Sequence, residues 1–259
     1  YDSQLRELIL SQQSELPELL KSGKILEAAG ILLRWTAVTG DFALDGVPLA
    51  TDFTTIGELY FRILKEDQAG MSCGGYGNYF SGVLALFGIP SLNIGFGESP
   101  DLTHVTVVVP VQDKNGRQFH LMDPTFGSTF RIDHLSRPAT FFEIVDLLRS
   151  NELERVTIES IPLDERDFLS TSPYEADQLI FKRKLSKFYV FSWLNYGFET
   201  YLETYAEEFQ KRKYASGLQG YVELMSKHMI NAIGYGDGAA QIRDEFLKEL
   251  KAHDIPFGA

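Results

Sequence analysis

Gly70-Met71-Ser72-Cys73-Gly74-Gly75-Tyr76-Gly77-Asn78-Tyr79-Phe80 opens a stretch that runs past His104 to Asp123-Pro124-Thr125-Phe126-Gly127, and its reading decides the fold. It holds the only cysteine of the chain, Cys73, then a histidine that opens an apolar run, His104, then an aspartate that closes the next run, Asp123. Cys73 to Phe87 reads as a helix, with Tyr76, Tyr79, Phe80, Val83 and Leu84 apolar and Gly88-Ile89-Pro90 as its stop. Glycines at 74, 75, 77 and 82 each cost such a helix roughly 1 kcal/mol, so other backbone or a ligand must approach it closely. Ser91 to Gly97 reads as a strand, Glu98 to Thr103 as a loop and His104 to Val111 as a second strand of strong β-formers. Asp113-Lys114-Asn115-Gly116 is a hairpin signal, and Arg117 to Asp123 returns as the partner strand.

The hairpin fixes which residues can meet. If residues 113–116 form the loop, Gln112 faces Arg117 and Asp123 falls opposite Thr106, one diagonal from His104. A turn formed by Asn115-Gly116 alone shifts the pairing by two, so either register leaves His104 and Asp123 on one face. A diagonal separation of roughly 7–8 Å between backbones is within reach of the two side chains. A carboxylate that orients an imidazole beside a thiol is the general arrangement of an activated nucleophile. Cys73 lies at the helix start, where unpaired amides and the helix dipole favour a thiolate and can hold an oxyanion. Asp123 is followed by Pro124, which ends the strand and is expected to leave the carboxylate at a sheet edge beside a loop.

Each of these residues has a plainer explanation. A lone cysteine on an apolar helix is commonly a core filler, a histidine can begin a strand, and Asp-Pro often opens a turn. Their joint order and shared face weigh against coincidence. A metal site of Cys73, His104, His120 and Asp123 is disfavoured, because His120 alternates to the face opposite Asp123. No cofactor or metal is expected.

Outside this stretch the chain reads as helical packing. Helical stripes run through Leu5, Leu8 and Ile9, from Ile25 to Trp35 and from Ile56 to Leu64, with Pro17 opening a further helix. Residues 41–55 form a turn-rich link. Phe141, Ile144, Val145 and Leu148 mark another helix, and residues 153–161 a strand. Residues 174–213, 218–233 and 239–253 all read as helical, the first rich in Phe, Tyr and Trp. Cysteine usage excludes an internal disulfide. At 259 residues with 44% hydrophobic and 23% charged residues, the composition suits a soluble globular protein without a membrane span. A formal net charge of −12 argues against nucleic-acid binding, and the short basic run Lys182-Arg183-Lys184 reads as a solvated helix face. The N-terminal residues show no signal-peptide pattern, and a start at Tyr1 suggests a trimmed chain, which leaves the compartment open.

Gly70-Met71-Ser72-Cys73-Gly74-Gly75-Tyr76, Gly88-Ile89-Pro90, His104 opening a valine strand and Asp123-Pro124-Thr125 together resemble the transglutaminase-like superfamily, a branch of the papain-like cysteine enzymes. The resemblance covers residues 70–127. It implies an α+β fold in which a nucleophile helix packs on a small antiparallel sheet with helical flanks. On this reading residues 1–259 form one domain, with a core at 56–161, an N-terminal flank at 1–55 and a C-terminal extension at 162–259. It further implies Cys73 as nucleophile, His104 as general base and then acid, and Asp123 as orienting carboxylate. Papain-like members often use an upstream Gln as oxyanion donor, and the resemblance makes Gln68 the candidate for it. Val105-Thr106-Val107 stand where members often carry an aromatic and an acidic residue. No calcium-site loop like that of the animal transglutaminases is visible.

The expected chemistry is acyl transfer from an amide-bearing substrate, a peptide or protein among them, through a thioester. Water as acceptor makes a hydrolase, which is the favoured reading; an amine makes an acyltransferase. A third reading, of another class, is a catalytically silent module whose aromatic helices hold a peptide or protein.

Overall fold

The computed structural model describes residues 1–40, 50, 54–67, 69–99, 102–114, 116–133, 135–160 and 218–258. Apolar positions three and four apart build α1 (Asp2–Gln12), α2 (Leu16–Lys21, with Pro17 in its first turn) and α3 (Ile25–Thr39). Thr55 caps α4 (Ile56–Glu58), accepting from the Glu58 N–H. From Leu59 to Glu66 the same helix widens into π geometry, where a regular helix was expected to end at Leu64. Apolar periodicity does not distinguish the two, since a bulged turn still buries Leu59, Tyr60, Ile63 and Leu64.

Helix α5 spans Cys73–Leu86, as the sequence indicates. Ser72 caps its start by accepting from the Gly75 N–H at 3.3 Å. Its end is closed by Gly88 in the left-handed region (φ 71°), with the Gly88 N–H donating to Ala85 O and Ile89 N–H to Leu84 O.

The strands are β1 (Ser91–Ser99), β2 (Leu102–Asp113), β3 (Gly116–Asp123), β4 (Ser128–Ile132), β5 (Val156–Ser160) and β6 (Met229–Tyr235). They form one antiparallel sheet in the order β5-β4-β3-β2-β1-β6. The β2–β3 hairpin takes the first of the two anticipated registers, with Gln112 facing Arg117 and Asp113 facing Gly116. Because side chains alternate, Val107, Val109 and Met122 face α1–α5, whereas Val108, Leu121 and Phe130 face the other way. That second face is covered by α6 (Phe141–Arg149), α7 (Leu218–Lys227) and α8 (Ala239–Ala252). A capping box between Thr140 and Glu143 starts α6. The architecture is α+β, with helices on both faces of the sheet.

Three expectations need correction. Residues 218–233 are not one helix: α7 stops at Lys227, and Met229–Tyr235 pairs with β1 as an edge of the sheet. Ile230 and Ile233, β-branched and followed by Gly234, are weak helix formers, and strand pairing decides the outcome. Strand β4 was not foreseen. Its pairing of Ser128 with Asp123 puts the carboxylate at a strand end inside the sheet rather than at a sheet edge. The left-handed Gly127 (φ 62°) turns the chain back into β4. The aromatic-rich stretch 174–213 lies outside the described residues, as does nearly all of the expected link at 41–55.

Close approach explains Gly77 and Gly82 of α5. A Cβ at Gly77 would stand 2.8 Å from Val105 Cγ1, and one at Gly82 would stand 2.1 Å from Ile56 Cγ1. A polar cluster adds to this grip: Asn93 of β1 bonds Ser81 and Asn78 of α5, and the Tyr235 hydroxyl of β6 donates to Asn78 Oδ1 at 2.7 Å. Gly82→Ala should therefore destabilise the fold by about 1–3 kcal/mol. Gly30→Ala, in α3 with nothing within 4 Å of its Cβ position, should stabilise it by about 0.5–1 kcal/mol. Urea denaturation midpoints of the two variants test the contrast; equal shifts would refute the packing explanation.

Candidate active site

Cys73, His104 and Asp123 are brought together although they come from α5, β2 and β3. Phe96 stands opposite His104 on β1, and the β2–β3 register carries Asp123 onto the same face as His104. His104 Nε2 donates to Asp123 Oδ2 at 2.8 Å. The other carboxylate oxygen, Oδ1, accepts from the Thr125 N–H at 3.0 Å, so the turn after β3 holds the group it follows. With Nε2 committed, Nδ1 is the ring nitrogen left to face the thiol.

Cys73 is the first residue of α5 and is partly exposed, whereas His104 and Asp123 are buried. The His104 side chain and the Val105 backbone both favour its thiolate form. Both partners belong to the part of β2 that runs past the last residue of β3, where Pro124 supplies no N–H to extend the ladder. Three N–H groups at the start of α5 have no acceptor within the helix, those of Cys73, Gly74 and Gly75. Gly75 uses the Ser72 hydroxyl, so the Cys73 and Gly74 amides are the ones disposed beside the thiol. A Cβ at Gly74 would meet only ordinary contacts, at 3.7 Å or more.

Aromatic rings enclose the imidazole. Phe126 stacks on it at 5.7 Å between centroids, Phe96 presents an edge at 5.6 Å and Tyr221 tilts against it at 5.9 Å. Tyr221 was not singled out in the sequence. It arrives on α7, and its hydroxyl donates to Asp123 Oδ2 at 3.0 Å. A helical apolar stripe accounts for a tyrosine at that position equally well, and nothing in the local pattern announces a partner 98 positions away.

Charge follows geometry. Burial pushes the Cys73 thiol up, but the bond and positive charge of His104, with the Val105 backbone, outweigh it, and the thiol falls below its ordinary value. Burial opposes a charged His104 too, yet the Asp123 carboxylate and the Cys73 thiolate raise it to about 10. Tyr221 is held well above 10, first by burial and then by the charge of Asp123, so its hydroxyl remains a donor.

His120 lies on the opposite face and donates from Nδ1 to Pro138 O at 2.8 Å. Among the described residues no group of three or more His, Cys, Asp or Glu side chains is arranged to hold a metal ion. Gln68 lies outside the described residues. No described helix is long and apolar enough to cross a membrane. Comparison with protein-family models, curated proteins and solved structures gives no match to this chain.

The paired shifts predict a thiol more acidic than an ordinary cysteine. Alkylation of Cys73 by iodoacetamide, followed by intact mass against pH, should inflect below the ordinary thiol value of about 8.5. In His104→Ala only the Val105 backbone still opposes burial, and the inflection should move up. An identical pH profile in the two proteins would show that no thiolate–imidazolium pair exists.

Proposed function

We propose that this protein is a cysteine-dependent acyl-transfer enzyme that hydrolyses amide bonds through a thioester at Cys73. The observation that carries the reading is the 2.8 Å bond between His104 Nε2 and Asp123 Oδ2, which turns the other ring nitrogen toward a thiol at a helix start. The sequence resemblance to the transglutaminase-like superfamily, on Gly70–Tyr76, His104 and Asp123-Pro124-Thr125, supports the same assignment of roles.

In this mechanism the Cys73 thiolate attacks the carbonyl carbon, and the carbonyl electrons move onto oxygen. The Cys73 and Gly74 amides face that oxyanion at the positive end of α5. As the C–N bond breaks, the His104 imidazolium gives its Nδ1 proton to the leaving amine, leaving a neutral imidazole beside the thioester. That imidazole then takes a proton from water, whose oxygen attacks the thioester; collapse releases the acid and restores the thiolate–imidazolium pair. Asp123 stays ionised throughout and keeps the ring aligned through Nε2. Partial exposure of Cys73 leaves the thiol reachable, while the rings of Phe96, Phe126 and Tyr221 keep water from the His104–Asp123 bond.

The test uses p-nitrophenyl acetate as acyl donor, with intact mass to locate the adduct. The wild type should carry a transient acetyl group on Cys73, and Cys73→Ala should carry none. His104→Ala should lose about 10²–10⁴-fold in kcat/KM. A parallel reaction with a primary amine distinguishes acceptors: amide product in preference to acetate would make the enzyme an acyltransferase. Turnover equal in wild type, Cys73→Ala and His104→Ala would overturn the proposal.

A further inference from the structure

Tyr221 is 1% exposed, and its ring is already satisfied by aromatic neighbours: Phe96 edge-on at 5.4 Å and Phe130 stacked at 6.1 Å. Phenylalanine would fill that space. The hydroxyl is what distinguishes the residue, and it is spent on Asp123 Oδ2, the same oxygen that His104 Nε2 uses. We propose that Tyr221 is a positioning residue of the Cys73 site, whose hydroxyl shares Asp123 Oδ2 with His104 and so limits how tightly the carboxylate holds the imidazolium. The inference rests on the acyl-transfer reading given above.

Two donors on one carboxylate oxygen divide its charge between them. With the phenol removed, that oxygen becomes a stronger acceptor for the Nε2 proton, and the charged imidazole is favoured further. An imidazolium held too firmly is a poor acid toward the leaving amine, because proton transfer is most effective when donor strength matches the working pH. Tyr221 thus moderates the base that Asp123 strengthens. It also fixes the carboxylate, since Thr125 N–H secures Oδ1 and leaves Oδ2 to be placed by Tyr221 and His104. The titratable groups facing the imidazole are Asp123 from β3, Cys73 from α5 and Tyr221 itself from α7; Phe96 of β1 and Phe126 of the following turn carry no charge. Thr106, next to the hydroxyl, donates to Met122 O at 2.6 Å.

The experiment follows the imidazole resonances of the five histidines by NMR against pH, with the His104 signal assigned by its loss in His104→Ala. In Tyr221→Phe the His104 titration should move up by about half a unit or more. The alkaline limb of kcat/KM for an anilide, p-nitroacetanilide, should move with it, and kcat should fall while KM changes little. A fluorinated tyrosine placed at 221 retains the shape and is a stronger donor, so it should move the His104 titration downward. That second variant decides the matter if Tyr221→Phe does not fold. A His104 titration unmoved by either variant, in a wild type whose Cys73 and His104 titrate as a pair, would overturn the role of Tyr221 alone. Independent titration of Cys73 and His104 in the wild type would instead overturn the acyl-transfer reading beneath it.

Discussion

The Asp123 carboxylate is the constraint on which the structure depends. It is fully buried, and a carboxylate taken from water costs several kcal/mol unless donors replace the lost hydration. Its donors come from three separate elements: the Thr125 N–H in the turn after β3, His104 on β2 and Tyr221 on α7. Satisfying them fixes the β2–β3 register, the turn at 124–127 and the docking of α7 together. A slip of one residue in β3 would carry Asp123 to the face that Met122 now occupies and leave all three donors behind. The polar centre therefore specifies the packing around it, and the rings of Phe96, Phe126 and Tyr221 exclude water from it.

Helix α5 answers a second constraint, since the thiol must come to the overhang of β2 from the opposite face of the sheet. Gly77 lets the helix descend onto Val105, the residue whose backbone favours the Cys73 thiolate. Ser72 takes the Gly75 amide and leaves those of Cys73 and Gly74 at the thiol. Further along, Asn93, Asn78 and Tyr235 tie α5 to β1 and β6, so the last strand of the chain helps hold the helix that begins with Cys73. Helix weakness and close approach are aspects of one arrangement: Gly77 and Gly82 cost helix stability locally, and a side chain at either would collide with Val105 of the sheet or Ile56 of α4.

The hairpin, α5 and its two boundaries were legible because each has a local cause. Alternation makes β2 and β3, Asp113 to Gly116 turns the chain, Ser72 caps the helix and Gly88 ends it. Three site residues followed, because parity within a hairpin and the start of a helix are properties of nearby residues. What escaped was set by distant partners. Met229–Tyr235 is a strand because β1 offers an open edge, and β4 exists because β3 does. The π geometry at Leu59–Glu66 leaves the apolar stripe intact and so leaves no mark on it.

The sequence by itself determined a single free thiol at a helix start, with a histidine and an aspartate on one face of an adjoining hairpin. Periodicity, capping and turn chemistry act over a few residues, and those features need no more. Only the tertiary structure decided that Asp123 lies inside a six-stranded sheet, that the thiol meets the overhang of β2, and that Tyr221 closes the polar centre. A hydrogen bond spanning 98 positions has no local signature, because it exists only once burial has brought α7 and β3 together and removed the water that would otherwise take its place.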